Sequence, residues 1–198
     1  MKLSEMKIYL LDFNPVMTSA WSKYFDKVPN IEIVNADFAD FMDSHSVDCV
    51  VSPANSYGLM DGGYDYAISE WFGWDLQLKV QKYILENLYG EQPVGTSICI
   101  DTQKRGIKLI HTPSMRYPDK IKDPLVVYHC MRTCLMTAIK NGVHAIVIPA
   151  FGGFCGQLST DTIAQMMWAA WEQLNNVPAL MTWRYADDAS HFQFKKQV

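Results

Sequence analysis

Short apolar runs of strand length alternate with stretches of helical periodicity along most of this 198-residue chain. Such alternation is typical of a layered α/β domain, because helices must cover the faces of the sheet. The sequence therefore predicts a mixed, largely parallel sheet, with the opening strand as the one that could run the other way. The predicted strands are Lys7–Asp12, Ile31–Asn35, Cys49–Pro53, Thr96–Asp101, Lys108–Thr112, Ala145–Ala150 and Ala179–Tyr185. The predicted helices are Met17–Phe25, Asp65–Phe72, Asp75–Leu88, Leu125–Asn141 and Thr160–Leu174.

Two predicted strands are followed directly by loops that contain glycine. The first loop spans Ser52–Asp65 (SPANSYGLMDGGYD) and the second spans Pro149–Gly156 (PAFGGFCG). Glycine permits positive φ and leaves the backbone bare, so several N–H groups can converge on one anion, and a following helix adds its positive dipole end. Two such loops side by side suit a diphosphate. The alternative is that each loop is only a tight turn.

Composition limits the classes of function. A net charge of −4 argues against a broad nucleic-acid surface. Five cysteines, an odd number, indicate free thiols in a reducing compartment. There is no apolar run of about 20 residues and no signal-peptide pattern at Met1–Lys7, so we expect a cytoplasmic protein without a membrane contact. Neither internal repeats nor linkers divide residues 1–198, which predicts one domain, and the sequence gives no reason to expect a cofactor or a metal.

At the two loops the chain resembles the macro domain family. SPANSYGLMDGGYDYAI is similar to the family pattern N-A-A-N-x-x-L-x-G-G-G-G-V-D-x-A-I, with the spacing from Asn55 to Asp65 kept, and PAFGGFCG is similar to P-A-x-x-T-G-x-x-G, one residue shorter. Ile110–Thr112 matches a strand that the family writes IHT, and Val34–Phe38 resembles its G-D-I segment. The stretch Asp61–Trp74 is similar to a bacterial and phage subgroup. The resemblance implies the three-layer α/β/α macro-domain fold and binding of ADP-ribose, or of an ADP-ribosylated macromolecule or related nucleotide.

The resemblance also implies a role for each matching residue. Asp37 would accept a hydrogen bond from the adenine amine, the Phe38 N–H would meet a ring nitrogen, and Asn55 would bind the distal ribose. The two walls of the diphosphate site would be Gly62, Gly63 and Tyr64 on one side and Gly152, Gly153, Phe154, Cys155 and Gly156 on the other. Phe154 and Cys155 are alternatives for the residue that covers the distal ribose.

Members of the family that hydrolyse ADP-ribosyl bonds, or act as ADP-ribose phosphate phosphatases, use residues that match Asp65 and Asn55, so these two are the candidate catalytic residues. A carboxylate can accept a proton from water, and an amide can fix ribose hydroxyls. The alternatives are that Asp65 caps a helix and that Asn55 forms an Asx turn. Four residues depart from the family pattern, Ser52, Pro53, Met60 and Asp61, and these departures bear on hydrolysis more than on the fold.

Other reactive residues have simpler interpretations. His111 with Cys155 is a weak candidate for a thiol nucleophile, and His129, Cys130 and Cys134 are expected to be helix residues rather than zinc ligands. The aromatic residues of the Thr160–Leu174 helix belong to a core, and His191–Val198 is expected to be a loosely held tail.

Overall fold

A computed structural model of the chain describes residues 2–194. Within these residues six strands form one sheet in the order β2-β1-β6-β3-β5-β4. The strands are β1 Lys7–Leu11, β2 Ile31–Val34, β3 Cys49–Ser52, β4 Ile98–Asp101, β5 Lys108–His111 and β6 Ala145–Pro149. The helices are α1 Pro15–Phe25, α2 Phe38–Ser44, α3 Gly63–Phe72, α4 Asp75–Leu88, α5 Leu125–Lys140, α6 Thr160–Asn175 and α7 Trp183–Ser190, with a 3-10 turn at Leu3–Glu5.

The expected mixed, largely parallel sheet is confirmed, but the reversed strand is not the opening one. β1 runs parallel to both of its neighbours, β2 and β6. β4 is antiparallel to β5. The connection from β4 to β5 is a short hairpin, and a connection of that length can only join antiparallel strands.

Two hydrophobic cores lie on opposite faces of the sheet, which gives the three-layer α/β/α arrangement. One face is covered by α1, α5 and α6, and the other by α2, α3 and α4. Along each central strand the side chains alternate between the two cores, because successive side chains of a β-strand point to opposite faces of the sheet. In β3, Val51 joins the first core and Val50 the second.

Helix α2 was missed from the sequence because it has only seven residues. Phe38, Phe41 and Met42 are all buried, and their i, i+3, i+4 spacing is the signal that would have found it. Its N-cap residue is Asp37, so the β2–α2 junction places that carboxylate at the carboxyl edge of the sheet.

The predicted last strand, Ala179–Tyr185, is wrong, because the chain there forms a turn and then α7. The Thr182 hydroxyl accepts a hydrogen bond from the Tyr185 N–H and caps the helix. The apolar residues Leu180, Met181 and Trp183 are exposed and do not pair with an edge of the described sheet.

The C-terminal segment is packed as far as the structure describes it, so the expectation of a loose tail is wrong for 191–194. The Phe192 ring lies 5.3 Å from the Tyr128 ring, and Phe194 is buried in the core beneath α5 and α6. Burial of these rings offsets the entropy of ordering the segment. Residues 195–198 lie outside the described part of the chain.

Candidate ADP-ribose site

The sequence-predicted site residues follow three strands that end at the same edge of the sheet. Asp37 follows β2, the first loop follows β3, and the second loop follows β6. Since β2, β1, β6 and β3 are consecutive and parallel, the three segments line one edge. With about 4.8 Å between strands, the line from β2 to β3 is about 14 Å long. Ligands of open α/β sheets bind at this edge.

Phe38 and Tyr64, which lie at the starts of helices α2 and α3, are in contact. Their rings lie edge to face with centroids 5.3 Å apart. Phe38 is buried, and the Asp37 side chain beside it is exposed and makes no cap hydrogen bond within residues 2–194. The Asp37 carboxylate is therefore available to a ligand.

The amide of Asn55 organises the first loop. Its Oδ1 accepts from the N–H groups of Tyr57 and Leu59, at 3.1 and 3.3 Å, and its Nδ2 donates to the Leu59 carbonyl at 2.7 Å. This is the Asx-type arrangement that was the alternative for Asn55. A ribose hydroxyl would have to share these groups or replace one of their bonds.

The departures at Met60 and Asp61 do not crowd the edge of the sheet. Met60 is completely buried in the core under α3 and α4, with its N–H bonded to Gln77 Oε1 at 2.7 Å. Asp61 is exposed, so water screens its charge. Gly63 adopts φ +58 with open space where a side chain would stand, which keeps this wall bare.

Asp65 does not cap helix α3; its carboxyl group is buried beside Ser52. The Ser52 hydroxyl donates to Asp65 Oδ1 at 2.6 Å, and the N-cap position belongs to Gly62. Burial raises the pKa of the Asp65 carboxyl to about 7, and the Ser52 bond opposes the shift. The group therefore exchanges its proton near neutral pH, as a general acid or base must.

The Tyr64 hydroxyl lies close to two carboxyl groups, those of Asp65 and Asp12, and of these residues only Asp12 was not singled out from the sequence. Asp12 follows β1, accepts from the Asn14 N–H at 2.8 Å, and has a pKa raised by burial. The Tyr64 hydroxyl is buried without a hydrogen-bond partner among residues 2–194, and burial, with the charges of Asp12 and Asp65, raises its pKa. A polar residue directly after a buried strand was the signal for Asp12.

The second loop is a tight turn in which close packing requires glycine at two positions, Gly152 and Gly156. A Cβ at Gly156 would stand 2.5 Å from the Gly152 carbonyl oxygen, and Gly152 itself has φ +80. Ile121 closes the turn from outside, since its N–H donates to the Gly156 carbonyl at 3.0 Å. These contacts leave no space for a side chain at Gly156 and constrain the backbone of the turn.

The tip of the second loop is open to solvent. Gly153 and Cys155 are exposed, and the Phe154 ring is 85% exposed. Within residues 2–194, the N–H groups of Gly152–Gly156 have no acceptor, and neither do those of Gly63, Tyr64 and Asp65 at the start of α3. Backbone donors of this kind bind anions.

The other reactive residues are not assembled into a site. His111 is fully buried with Nδ1 bonded to Gln92 Oε1 at 2.7 Å, and burial lowers its pKa to about 3, whereas Cys155 is exposed. Cys130 and Cys134 are core thiols, and His129 is exposed. Residues 2–194 hold no group of three metal-ligating side chains in reach of one ion. No helix within them is long and apolar enough to cross a membrane.

Asp65→Asn is expected to raise the free energy of unfolding at pH values above 7 by up to about 4 kcal/mol. Between the unfolded value of 3.8 and about 7, the folded chain keeps a proton that the unfolded chain releases, so this group lowers stability as pH rises. Asn keeps the volume and can still accept from Ser52. Urea unfolding across pH measures the effect.

The neutral, buried His111 has the opposite effect on how stability depends on pH. Its contribution has to be removed before the effect of Asp65 can be seen. Its unfolded pKa of 6.5 falls to about 3 on folding, so it lowers stability as pH falls. Because both proteins contain His111, the difference between wild type and Asp65→Asn isolates Asp65. A difference that stays constant from acid to alkaline pH would contradict a buried, titrating carboxyl.

The chain thus has a three-layer α/β/α fold with glycine loops after the neighbouring parallel strands β6 and β3. The family model for the Macro domain matches residues 51–167, and the chain therefore belongs to the macro domain family. An uncharacterised protein of Aquifex aeolicus (strain VF5) is 30% identical over 122 residues, which are 61% of this chain and 70% of that protein.

Solved macrodomains share the fold at low identity. The Oceanobacillus iheyensis macrodomain with ADP has a TM-score of 0.59 and 20% identity, covering 75% of this chain and 83% of that one. A mutant of the same macrodomain with ADPR has a TM-score of 0.59 and 20% identity, covering 75% and 85%. The macrodomain of Mycobacterium tuberculosis DarG has a TM-score of 0.56 and 16% identity, covering 66% and 84%.

Proposed function

We propose that the chain binds ADP-ribose, or an ADP-ribosylated molecule or related nucleotide, along the edge of the sheet between the two glycine loops. The observation that carries the proposal is the pair of donor groups at adjacent strands. The N–H groups of Gly152–Gly156 after β6, and those of Gly63–Asp65 after β3, have no acceptor within residues 2–194. A diphosphate placed between them would accept from both.

The order of the strands supports an extended ligand. Asp37 and Phe38 at the β2 end would hold the adenine, and Asn55 at the β3 end would hold the distal ribose. About 14 Å separates the two strands, and the second loop lies between them after β6. The exposed Phe154 ring is our candidate for the residue that covers the distal ribose, in preference to Cys155.

ADP-ribose is expected to bind with a Kd in the micromolar range, about −8 kcal/mol, and AMP at least about 30-fold more weakly. AMP has one phosphate and no distal ribose, so it reaches only part of the line from β2 to β3. Calorimetry with both ligands tests this. Absence of heat and of competition at millimolar ADP-ribose would overturn the proposed function.

Asp37→Ala is expected to weaken ADP-ribose binding by about 1–3 kcal/mol, through loss of a charge-assisted hydrogen bond from the adenine amine. Binding of ribose 5-phosphate should hardly change. Asp40→Ala is the matched control, because Asp40 is an exposed carboxylate in the first turn of the same helix. Equal affinity of the wild type for the inosine analogue would contradict the adenine contact.

A second candidate function is hydrolysis of an ADP-ribosyl bond, or of ADP-ribose phosphate. The observation that favours it is the buried Asp65 carboxyl, which has a pKa of about 7 and is oriented by the Ser52 hydroxyl. At or above that pH the carboxylate would accept a proton from an attacking water, while Asn55 fixed the ribose.

We also propose that residues 1–198 form a single macro domain that extends beyond the matched segment 51–167. β1 and β2 precede that segment, yet both belong to the same sheet. Without them, the β6 strand and the second loop would lose their neighbour on one side.

A further inference from the structure

Helix α4 carries a line of exposed apolar side chains on its outer face. Leu78, Leu85 and Tyr89 are 64%, 67% and 98% exposed. Their i, i+7, i+11 spacing places them on one side of the helix, with Lys82 between the two leucines. Single exposed leucines are common, but a continuous line of large apolar side chains indicates a contact surface. We call Leu78, Lys82, Leu85 and Tyr89 the α4 seam.

The α4 seam has the spacing of a coiled-coil interface. Steps of four, three and four residues put its members at alternating d and a positions of a heptad. Lys82 is the one polar member, and a single lysine at an a position is a known device for fixing the register of a helix pair. The seam is therefore suited to packing against a second helix.

The protein's own core cannot supply that helix. The opposite face of α4 buries Leu76, Val80 and Ile84 in the second core. The Gln77 side chain on the same helix accepts a hydrogen bond of 2.7 Å from the Met60 N–H of the first loop. These contacts fix the rotation of α4, and the seam is left exposed by residues 2–194.

The α4 seam is complementary to itself when two copies of the helix run antiparallel. In that register Leu78 lies opposite Tyr89 of the second copy, and Lys82 lies opposite Leu85 of the second copy. Each contact then occurs twice about the middle of the helix, as a two-fold dimer requires. The aliphatic stem of Lys82 covers the leucine, and its ammonium group reaches the neighbouring Glu86 of the second copy.

The charges on the seam select the antiparallel arrangement. Lys82 and Glu86 are exposed and lie 3.9 Å apart on their own helix, where such a pair contributes little to stability. An antiparallel second copy would place an opposite charge beside each of them. A parallel copy would place Lys82 beside Lys82, which is repulsive. The apolar line and the charge order thus fit a second copy of this chain.

We propose that the chain forms an antiparallel homodimer through the α4 seam. This goes beyond the ADP-ribose site and does not depend on it. The half-exposed rings of Tyr66 and Trp74, 5.6 Å apart, lie just before Leu78 and would extend the contact toward Tyr89 of the second copy. A contact between two helices of this length buries less than about 1,200 Å² in total, so we expect self-association in the micromolar range.

Sedimentation equilibrium of the full chain at micromolar concentrations measures the dimer. Leu85→Lys should raise the dimer Kd by at least about tenfold, because it removes an apolar contact and places a second ammonium opposite Lys82 of the other copy. Leu180→Lys is the matched control. Leu180 is exposed to a similar degree but lies outside α4, and its substitution should leave the dimer Kd unchanged.

A charge exchange tests the register itself. Lys82→Glu and Glu86→Lys should each raise the dimer Kd by at least about tenfold, since either change puts like charges opposite each other twice. When the two variants are mixed, every pair across the interface again has opposite charges. The mixture should form a heterodimer with about the affinity of the wild type, which a defect in folding could not produce.

A wild-type chain that stays monomeric up to millimolar concentration would overturn the proposed dimer. A dimer that is unaffected by Leu85→Lys would place the interface elsewhere. No recovery in the mixture of Lys82→Glu and Glu86→Lys, with both variants folded by circular dichroism, would overturn the antiparallel register. Failure of the protein to bind ADP-ribose would contradict the proposed function and leave this inference standing.

Discussion

Gly153→Glu is expected to abolish ADP-ribose binding, raising the Kd by at least about 100-fold, while the protein stays folded. The new carboxylate would stand at the open tip of the second loop, beside the N–H groups proposed to hold the diphosphate. Like charges a few ångströms apart near a protein surface repel by up to about 4 kcal/mol.

The position tolerates a side chain structurally. A Cβ at Gly153 would meet only Ile163 Cδ1, at an ordinary contact distance of 3.6 Å, and its φ is not positive. The same cannot be said of Gly156, where a Cβ would collide with the backbone. Gly153 is therefore the glycine of the second loop at which binding can be tested without disturbing the turn.

Two matched variants separate charge from bulk. Gly153→Gln has the same size as Glu without the charge, and Gly153→Ala adds only a methyl group. We expect the loss to follow Glu > Gln > Ala. The measurements are calorimetry for affinity and circular dichroism with thermal unfolding for the fold. Unchanged affinity in a folded Gly153→Glu protein would show that the second loop does not contact the ligand.

Asp65→Ala is expected to reduce turnover by about 100-fold or more if the protein is a hydrolase, since a positioned general base contributes about that much. Binding of ADP-ribose should change little, because the carboxylate is buried at Ser52 and not at the proposed diphosphate position. Single-turnover hydrolysis of an ADP-ribosylated protein, with calorimetry alongside, measures both.

The pH profile provides an independent check. A general base must be deprotonated, so turnover should rise with pH through the pKa of about 7 that burial gives Asp65. Asp65→Asn keeps the Ser52 contact but accepts no proton, and it should be as inactive as Asp65→Ala. Robust hydrolysis in either variant would identify a different catalytic group.

If the protein only binds, the wild type and both variants will show no turnover. The variants will then differ from the wild type in the free energy of unfolding. The idea that Asp65 stabilises α3 as a cap fails on the geometry, because its carboxyl group bonds to Ser52. A buried ionisable group without a cation beside it costs stability at neutral pH, so Asp65→Asn should stabilise the fold in this case too.

The fold could be predicted because periodicity is a local signal. β3, β6, α4 and α6 appear within a residue or two of their expected ends, since each has a clear apolar pattern. Ala179–Tyr185 failed for the same reason: its apolar residues resemble a strand, but in the described sheet the segment pairs with neither edge strand, β2 or β4, and it forms α7 instead.

The sequence alone determined which residues stand at the ends of β2, β3 and β6. Asp37, Asn55 and the glycines share one edge because these strands run parallel and lie in the order β2-β1-β6-β3, which the structure shows. Only the tertiary structure decided the chemistry of that edge. Ser52 and Asp65 are thirteen residues apart in the chain, yet folding of the first loop brings them to 2.6 Å. The packing of α3 against the sheet then excludes water, which moves the Asp65 pKa to about 7. Burial depends on every element that surrounds a group, so no local pattern in the sequence encodes it.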